Sequence, residues 1–339
     1  MKRIFTLLFA VLTATTIMAQ MHGPMKFVGA SNMTVSTMSN DNPSDTILFA
    51  MNGMESGNIT LPAMKGMQQT IPSFTISGVK FTLGENHVVT FADQTFSTKV
   101  KVDGAEKNIT GSSLSGTYNM ADNSLMLTVV FQYGKMPFPM TYTVKGYYVK
   151  AVSNPIVVTV GGQFTYNNDN VTYELRRYKD GKTDKLDVTV PSYTLANTIM
   201  GNLTLGSYTV KGLVYDEAQG GYYRDYKNDG LKFHFTAVKN GKTTMDQDYE
   251  FAAEKPNNIL VKYEGSNVSS IVNTFQVGTM PFGIVSVFSG ATTSINNITT
   301  TPSHDFNTTS SQQYNLAGQR VDNNYKGIVI VNGKKYLRK

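Results

Sequence analysis

The 339-residue chain has no cysteine and no tryptophan, only four histidines, and charged side chains at 16% of positions. Without cysteine there can be no disulfide, thiolate metal site, iron–sulfur cluster or thiol nucleophile. The charged fraction sits well below the roughly 25% of an average globular domain. His22, His87, His234 and His304 stand apart from one another, and none falls in an H-x-H or H-E-x-x-H spacing. No metal site and no cofactor are therefore expected. A glycine-rich phosphate loop is missing. Gly111-Ser-Ser-Leu-Ser-Gly116 has the spacing G-x-S-x-x-G, which suits a turn rather than the G-x-S-x-G of a serine elbow. Asp41-Asn-Pro-Ser-Asp45 lacks the glycine and glutamate of a calcium loop. The chain is expected not to be an enzyme.

The net charge of +6 is unevenly placed. Lys2 and Arg3 supply two of the six, and residues 314–339 hold six cations against the single Asp322. Residues 20–313 are left with one net negative charge. Such a body has no basic footprint, so nucleic acid is excluded as an expected partner.

What the chain does have is strand and turn chemistry. It contains 19 Tyr and 18 Phe. Leu125, Leu127, Val129 and Phe131 alternate with Met126, Thr128, Val130 and Gln132, and Met140, Tyr142 and Val144 follow the same rule. Leu231, Phe233, Phe235 and Ala237 alternate with Lys232, His234, Thr236 and Val238. Period-2 patterning of this kind marks strands with one face toward a core. Asp103-Gly104, Asp180-Gly181, Asp229-Gly230, Asn240-Gly241 and Asn332-Gly333 supply the positive φ of tight hairpins. Many short strands joined by hairpins predict an all-β, antiparallel sandwich or barrel.

Residues 1–19 read as a secretory signal peptide, with Lys2 and Arg3 before an apolar stretch and cleavage between Ala19 and Gln20. No cysteine follows it, so a lipid-anchored form is not expected. The mature chain is expected outside the cytoplasm: secreted, periplasmic or at the cell surface. No run of about 20 apolar residues suggests a membrane span. Phe131-Gln-Tyr-Gly-Lys-Met-Pro-Phe138 matches Phe275-Gln-Val-Gly-Thr-Met-Pro-Phe282. Thr70-Ile-Pro-Ser-Phe-Thr75 matches Thr189-Val-Pro-Ser-Tyr-Thr194. These repeats predict two homologous β domains, 20–152 and 153–290, with Phe131, Phe275, Phe138 and Phe282 pointing into their cores. The polar stretch 291–313 reads as a flexible linker. Within 314–339, Ile328–Val331 and Lys334–Leu337 predict a small hairpin around Asn332-Gly333.

The paired Thr-Ile/Val-Pro-Ser-aromatic-Thr blocks, Gly201-Asn-Leu-Thr-Leu205 and the Phe-Gln-x-Gly-x-Met-Pro-Phe strands resemble secreted Bacteroidetes proteins of the calycin-like family. That is a lipocalin-related β-barrel group. The resemblance implies two tandem calycin-like barrels and transfers no catalytic residue. The tail, Tyr314-Asn-Leu-Ala-Gly-Gln-Arg-Val321 with Lys326 to Lys335, resembles C-terminal sorting segments of type IX secretion. It implies a partner in the secretion machinery or at the cell surface, reached through 314–339. Asp45-Thr46-Ile47 resembles the short sites at which Bacteroidetes add O-glycans, with Thr46 as acceptor.

Two stretches could make a binding surface. Gly220 to Gly230 presents Tyr222, Tyr223, Arg224 and Tyr226, and tyrosine offers a flat apolar face with a polar tip. A hairpin with its tyrosines packed inward accounts for the same pattern. Met51, Met54, Met64 and Met67 fit either irregular core packing or an adaptable ligand site. Three functions stay open. The first is a carrier holding a small apolar molecule or glycan in or at a barrel mouth. The second is a structural or surface-interaction module with filled barrels, and the third a hydrolase.

Overall fold

The computed structural model describes residues 23–66, 69–84, 87–290, 313–315, 321, 327–331 and 334–338. The expected signal peptide with Ala19 and Gln20, His22, His304, Met67, residues 291–312 of the expected linker and the turn Asn332-Gly333 lie outside the described residues. The chain divides into two compact units, Met1–Ser289 and Gly290–Lys339.

Every regular element among the described residues is a β-strand. The first unit opens with β1 Met25–Val35, β2 Met38–Met51, β3 Ser56–Leu61, β4 Met64–Gly66, β5 Gln69–Ile71, β6 Phe74–Lys80, β7 Thr82–Leu83, β8 Val88–Phe91, β9 Phe96–Val102, β10 Ala105–Asn119, β11 Ser124–Tyr133 and β12 Met140–Val160. It continues with β13 Phe164–Asp180, β14 Thr183–Val190, β15 Tyr193–Thr198, β16 Gly201–Leu205, β17 Tyr208–Asp216, β18 Gly221–Asp225, β19 Lys232–Lys239, β20 Lys242–Glu250, β21 Asn258–Glu264, β22 Asn267–Gln276 and β23 Gly283–Ser289. The second unit holds β24 Gln313–Asn315, β25 Gly327–Val331 and β26 Lys334–Arg338.

The alternation read from the sequence is realised as burial. In β11, Leu125, Leu127, Val129, Phe131 and Tyr133 are buried while Met126 is exposed. In β19, Phe233, Phe235 and Ala237 are buried and Lys232 and His234 exposed. Hairpin geometry follows the turn residues. Asp103 and Gly104 take φ of 50° and 80° between β9 and β10, and Asn240 and Gly241 take 52° and 73° between β19 and β20. Positive φ at both central residues matches the right-handed twist of the strands they join.

Ladders run antiparallel throughout. One ring follows the order β12-β13-β14-β17-β18-β21-β22-β23 and returns to β12, with a hydrogen-bonded ladder at every junction. This is a closed eight-stranded barrel. The N-terminal half carries a related arc, β12-β1-β2-β3-β6 and β9-β10-β11-β12. Where β6 faces β9, Thr98 Oγ1 donates to Thr75 O at 3.1 Å. β12 is the strand common to both: its first half pairs β1 and β11, its second half β23. The further strands β15, β16, β19 and β20 form a four-stranded sheet of their own.

Each half has its own apolar core. One runs from Met25 to Val144 and includes Phe27, Phe49, Phe74, Phe91 and Phe131; the other runs from Ile156 to Phe288. The halves are also stapled by side chains. Lys26 Nζ reaches Glu174 at 2.8 Å, and Arg176 donates to Val28 O at 3.2 Å. The expected boundary at 152/153 falls within β12.

The two Phe-Gln-x-Gly-x-Met-Pro-Phe blocks take the same form. Phe131 and Phe275 are fully buried. Gln132 Nε2 donates to Met136 O and Gln276 Nε2 to Met280 O, each clamping the turn that follows. Gly134 and Gly278 supply positive φ at the start of that turn. Phe138 and Phe282 do not point inward as expected: each is 50% exposed. The turn ends the strand before these positions, so the alternation that aimed Phe131 and Phe275 inward no longer applies.

The proline blocks are corners at which strands leave the main sheet. Ser73 Oγ donates to Leu61 O at 2.7 Å, locking β5–β6 against β3–β4. In the C-terminal half Ser207 Oγ donates to Val190 O at 2.7 Å, and Ser192 Oγ donates back to Leu205 O. By its place in the topology, the counterpart of Thr70–Thr75 is Thr204-Leu-Gly-Ser-Tyr-Thr209 rather than Thr189–Thr194. In the second unit β25 pairs both β26 and β24, so the expected hairpin is a three-stranded sheet, its extra strand starting at Gln313.

Candidate functional site

The interior of the closed barrel is filled in layers set by the two-residue period. On β13, Tyr173 and Leu175 are buried, and Arg177 follows at the end. On β14, Leu186 and Val188 are buried, with Asp184 at the same end. Deeper in, Tyr226 donates to Asn273 Oδ1 at 2.8 Å and Asn273 Nδ2 donates to Tyr208 at 2.6 Å. Phe251 packs against Tyr208, Tyr226, Phe233 and Phe275 with ring centroids 5.0–5.7 Å apart. Aromatic pairs at such separations are favourable beyond their buried area. These rings and the Tyr226–Asn273–Tyr208 network pack this part of the barrel interior.

What stays open is one end. A recess of about 630 Å³ lies there, reaching Leu175 and Leu186 and walled by Tyr215, Tyr222 and Tyr263 with Arg177 and Asp184. Tyr148, Lys150 and Asn123 of the N-terminal half complete its rim. Tyr222 is the hub. Its ring lies 5.7 Å from Tyr215 and 6.0 Å from Tyr263, both edge-on, and the Arg177 guanidinium sits 5.5 Å from its centroid. A cation over a phenol ring contributes about 0.5–1 kcal/mol at an exposed site. Arg177 also bonds Asp184 at 3.3 Å, and Lys150 Nζ donates to Ser266 O at 3.0 Å. Burial raises the Tyr222 pKa, with Arg177 opposing. Burial likewise pushes Tyr263 up to about 12, helped by Tyr222 and opposed by Arg177. These phenols stay neutral, so they serve as stacking faces and hydrogen-bond donors rather than bases.

The four residues picked from the sequence are separated by the fold. Tyr222 lines the recess. Tyr226 is 1% exposed and belongs to the core network. Arg224 is held by a bidentate pair with Asp229, at 2.8–3.0 Å. Tyr223 lines a different surface depression with Asp225, Lys227 and Lys255. Arg177, Asp184, Tyr215 and Tyr263 were not picked. They sit on strands up to 86 residues apart in sequence, and no local motif links them. Thr46 is exposed on β2, whereas Asp45 beside it is buried and accepts from Ser31, Tyr142 and Asn42. Of the methionines, Met64 is buried, Met51 packs on the core and Met54 is 54% exposed.

A second recess of similar volume lies on the N-terminal half, lined by Ser115–Thr117, Met126–Thr128 and Thr143–Lys145. It carries no aromatic side chain. Among the described residues no three His, Asp or Glu side chains are grouped to hold a metal. No helix among them is long and apolar enough to cross a membrane, which says nothing of strands.

Residues 26–147 match the family described as Calycin-like beta-barrel domain. The match covers the N-terminal half and stops inside β12. A crystal structure of a Bacteroides fragilis protein, provisionally described as an outer membrane protein, is similar at 15% identity with a TM-score of 0.24. That alignment covers 78% of this chain and 96% of that one. No curated protein matches the chain.

Proposed function

We propose that this is an exported, non-catalytic binding protein that holds a glycan, or a comparably amphipathic small molecule, at the mouth of its second barrel. The observation that carries this reading is the open recess with a leucine floor, three tyrosine walls and a rim of Arg177, Asp184 and Lys150. Sugar rings present apolar CH faces to tyrosine and hydroxyls to charged groups at the edge. A wholly apolar ligand would leave that charged rim poorly solvated. The rings packed around Phe251 favour the mouth over the depth of the barrel as the binding place. Ligand sites favour such barrel mouths, with mostly apolar walls and a few convergent polar groups.

Within this reading the chain is two calycin-like copies that share β12, exported by a signal peptide removed after Ala19. The sheet at 313–338 is then a sorting or docking segment. Binding to a glycan library is the test. The wild-type protein should retain at least one ligand class, and Arg177→Ala and Tyr215→Ala should each weaken it about tenfold, equivalent to about 1.4 kcal/mol. Both side chains are solvent-accessible, so their loss should spare the fold. Absence of binding by the wild type contradicts the reading.

The runner-up, an interaction module without a small ligand, is favoured by one feature. Ile199 at the β15–β16 tip is 89% exposed beside Met200 at 41%. Aspartate at both positions would abolish partner capture under that reading and leave glycan binding unchanged under ours.

A further inference from the structure

One lysine and one arginine enter the mouth of the second barrel from neighbouring strands. On β12, Val152 pairs with the buried Tyr173 of β13, and Lys150 pairs with Leu175 on the recess floor. The two-residue period of a strand therefore turns Lys150 inward with Val152. Lys150 is half-buried and lines the recess. Arg177 follows Leu175 on the same face of β13 and lines it too. Diagonal neighbours on adjacent strands sit only about 7–8 Å apart. Two cations are thus held on one wall.

A single acid lines the recess with them. Asp184 meets Arg177 through one bond, at 3.3 Å, which leaves most of the guanidinium donors free. Lys150 Nζ donates to a backbone carbonyl, Ser266 O at 3.0 Å, and among the described residues it forms no ion pair. The acids beside the rim in sequence do not make up the difference. Asp122 accepts from Ser124, and Asp216 accepts from the amides of Ala218 and Gln219, so each caps its own turn. Glu264 precedes Gly265 without lining the recess.

We propose that the ligand of this mouth is an acidic glycan, with the carboxylate of a sugar acid received between Lys150 and Arg177. The inference rests on the binding place proposed above and narrows its ligand from glycans in general to acidic ones. A carboxylate supplies the negative charge that the wall lacks. Its two oxygens suit the planar fork of a guanidinium, and charge-assisted bonds of this kind are the strong ones. The ring that bears the carboxylate keeps its apolar face for the tyrosine walls.

The test measures binding of uronic-acid oligosaccharides to the full chain beside the same oligosaccharides after carboxyl reduction, which differ only in charge. The acidic forms should bind about tenfold more tightly, the worth of one charge-assisted bond. The gap should narrow between about 0.05 M and about 0.5 M salt as screening grows. Lys150→Gln should bring the acidic-to-reduced ratio toward one, whereas Lys150→Arg, which keeps the charge, should preserve the preference. Because each ratio is taken within one protein, loss of folded material cannot imitate the effect. Equal binding of acidic and reduced forms, or retention of neutral glycans alone, overturns this inference and leaves the mouth as a glycan site. Absence of binding by every glycan overturns the site itself.

Discussion

Residue by residue, the chain rewards its alternation rule and punishes its extrapolation. Phe131 and Phe275 are both fully buried. Truncating either to Ala should cost about 3–5 kcal/mol by urea denaturation, the range for a buried phenylalanine. Phe138 and Phe282, seven residues further on, are past the turn and obey no strand period. The tyrosine cluster shows the same limit. The sequence placed Tyr222, Tyr223, Arg224 and Tyr226 together, yet only Tyr222 reaches the mouth, because alternation and a strand end at Asp225 divide them. His234 makes a prediction of its own. Its Nδ1 lies 2.9 Å from Asp248 and its Nε2 2.8 Å from Asp246. The bond to Asp248 is the main cause that raises its pKa. An NMR titration should therefore give a midpoint above the usual 6.5 or so, and Asp248→Asn should bring it back toward that value. The sign follows from linkage. The favourable contribution is complete below about 6.5 and is lost as pH rises through the higher folded value.

At the scale of elements, the strand and hairpin inventory was legible, since Asp-Gly and Asn-Gly pairs mark several of the turns that form. The corner geometry was not. Identity of sequence paired Thr70–Thr75 with Thr189–Thr194, because both keep Pro-Ser. The hydrogen bond that defines the first corner, Ser73 Oγ to Leu61 O, recurs instead as Ser207 Oγ to Val190 O. There Gly206 stands where Pro72 precedes Ser73, so no Pro-Ser pair marks that corner in the sequence. Ser73→Ala and Ser207→Ala should each destabilise by about 1 kcal/mol, the usual worth of one intramolecular hydrogen bond. Equal losses in parallel urea melts would show that the two corners do the same job. A loss at Ser73 alone would break the equivalence.

For the whole molecule, one strand decides how separable the halves are. Val149–Asn154 of β12 pairs with Val171–Arg176 of β13, and Ile156–Val160 pairs with both β13 and β23. A fragment starting at residue 153 keeps the second pairing and loses four of the six pairs of the first. Residues 140–290 should therefore melt cooperatively and at a higher temperature than 153–290. Equal melting would mean that the first half of β12 adds nothing to the second barrel. Composition revealed the class of fold, but the mouth was hidden. Its walls come from β13, β14, β17, β18 and β21, and the antiparallel ladders between these strands, not any local motif, bring their ends together.

The proposed function stands or falls with a small ligand at the mouth of the second barrel. Native mass spectrometry of the protein purified from its own host tests it most directly, run beside Arg177→Ala and Tyr215→Ala prepared in the same way. The account predicts a stoichiometric small-molecule adduct on the wild type that is lost or strongly reduced on both variants. An adduct retained equally by all three proteins, or none on the wild type, would contradict it.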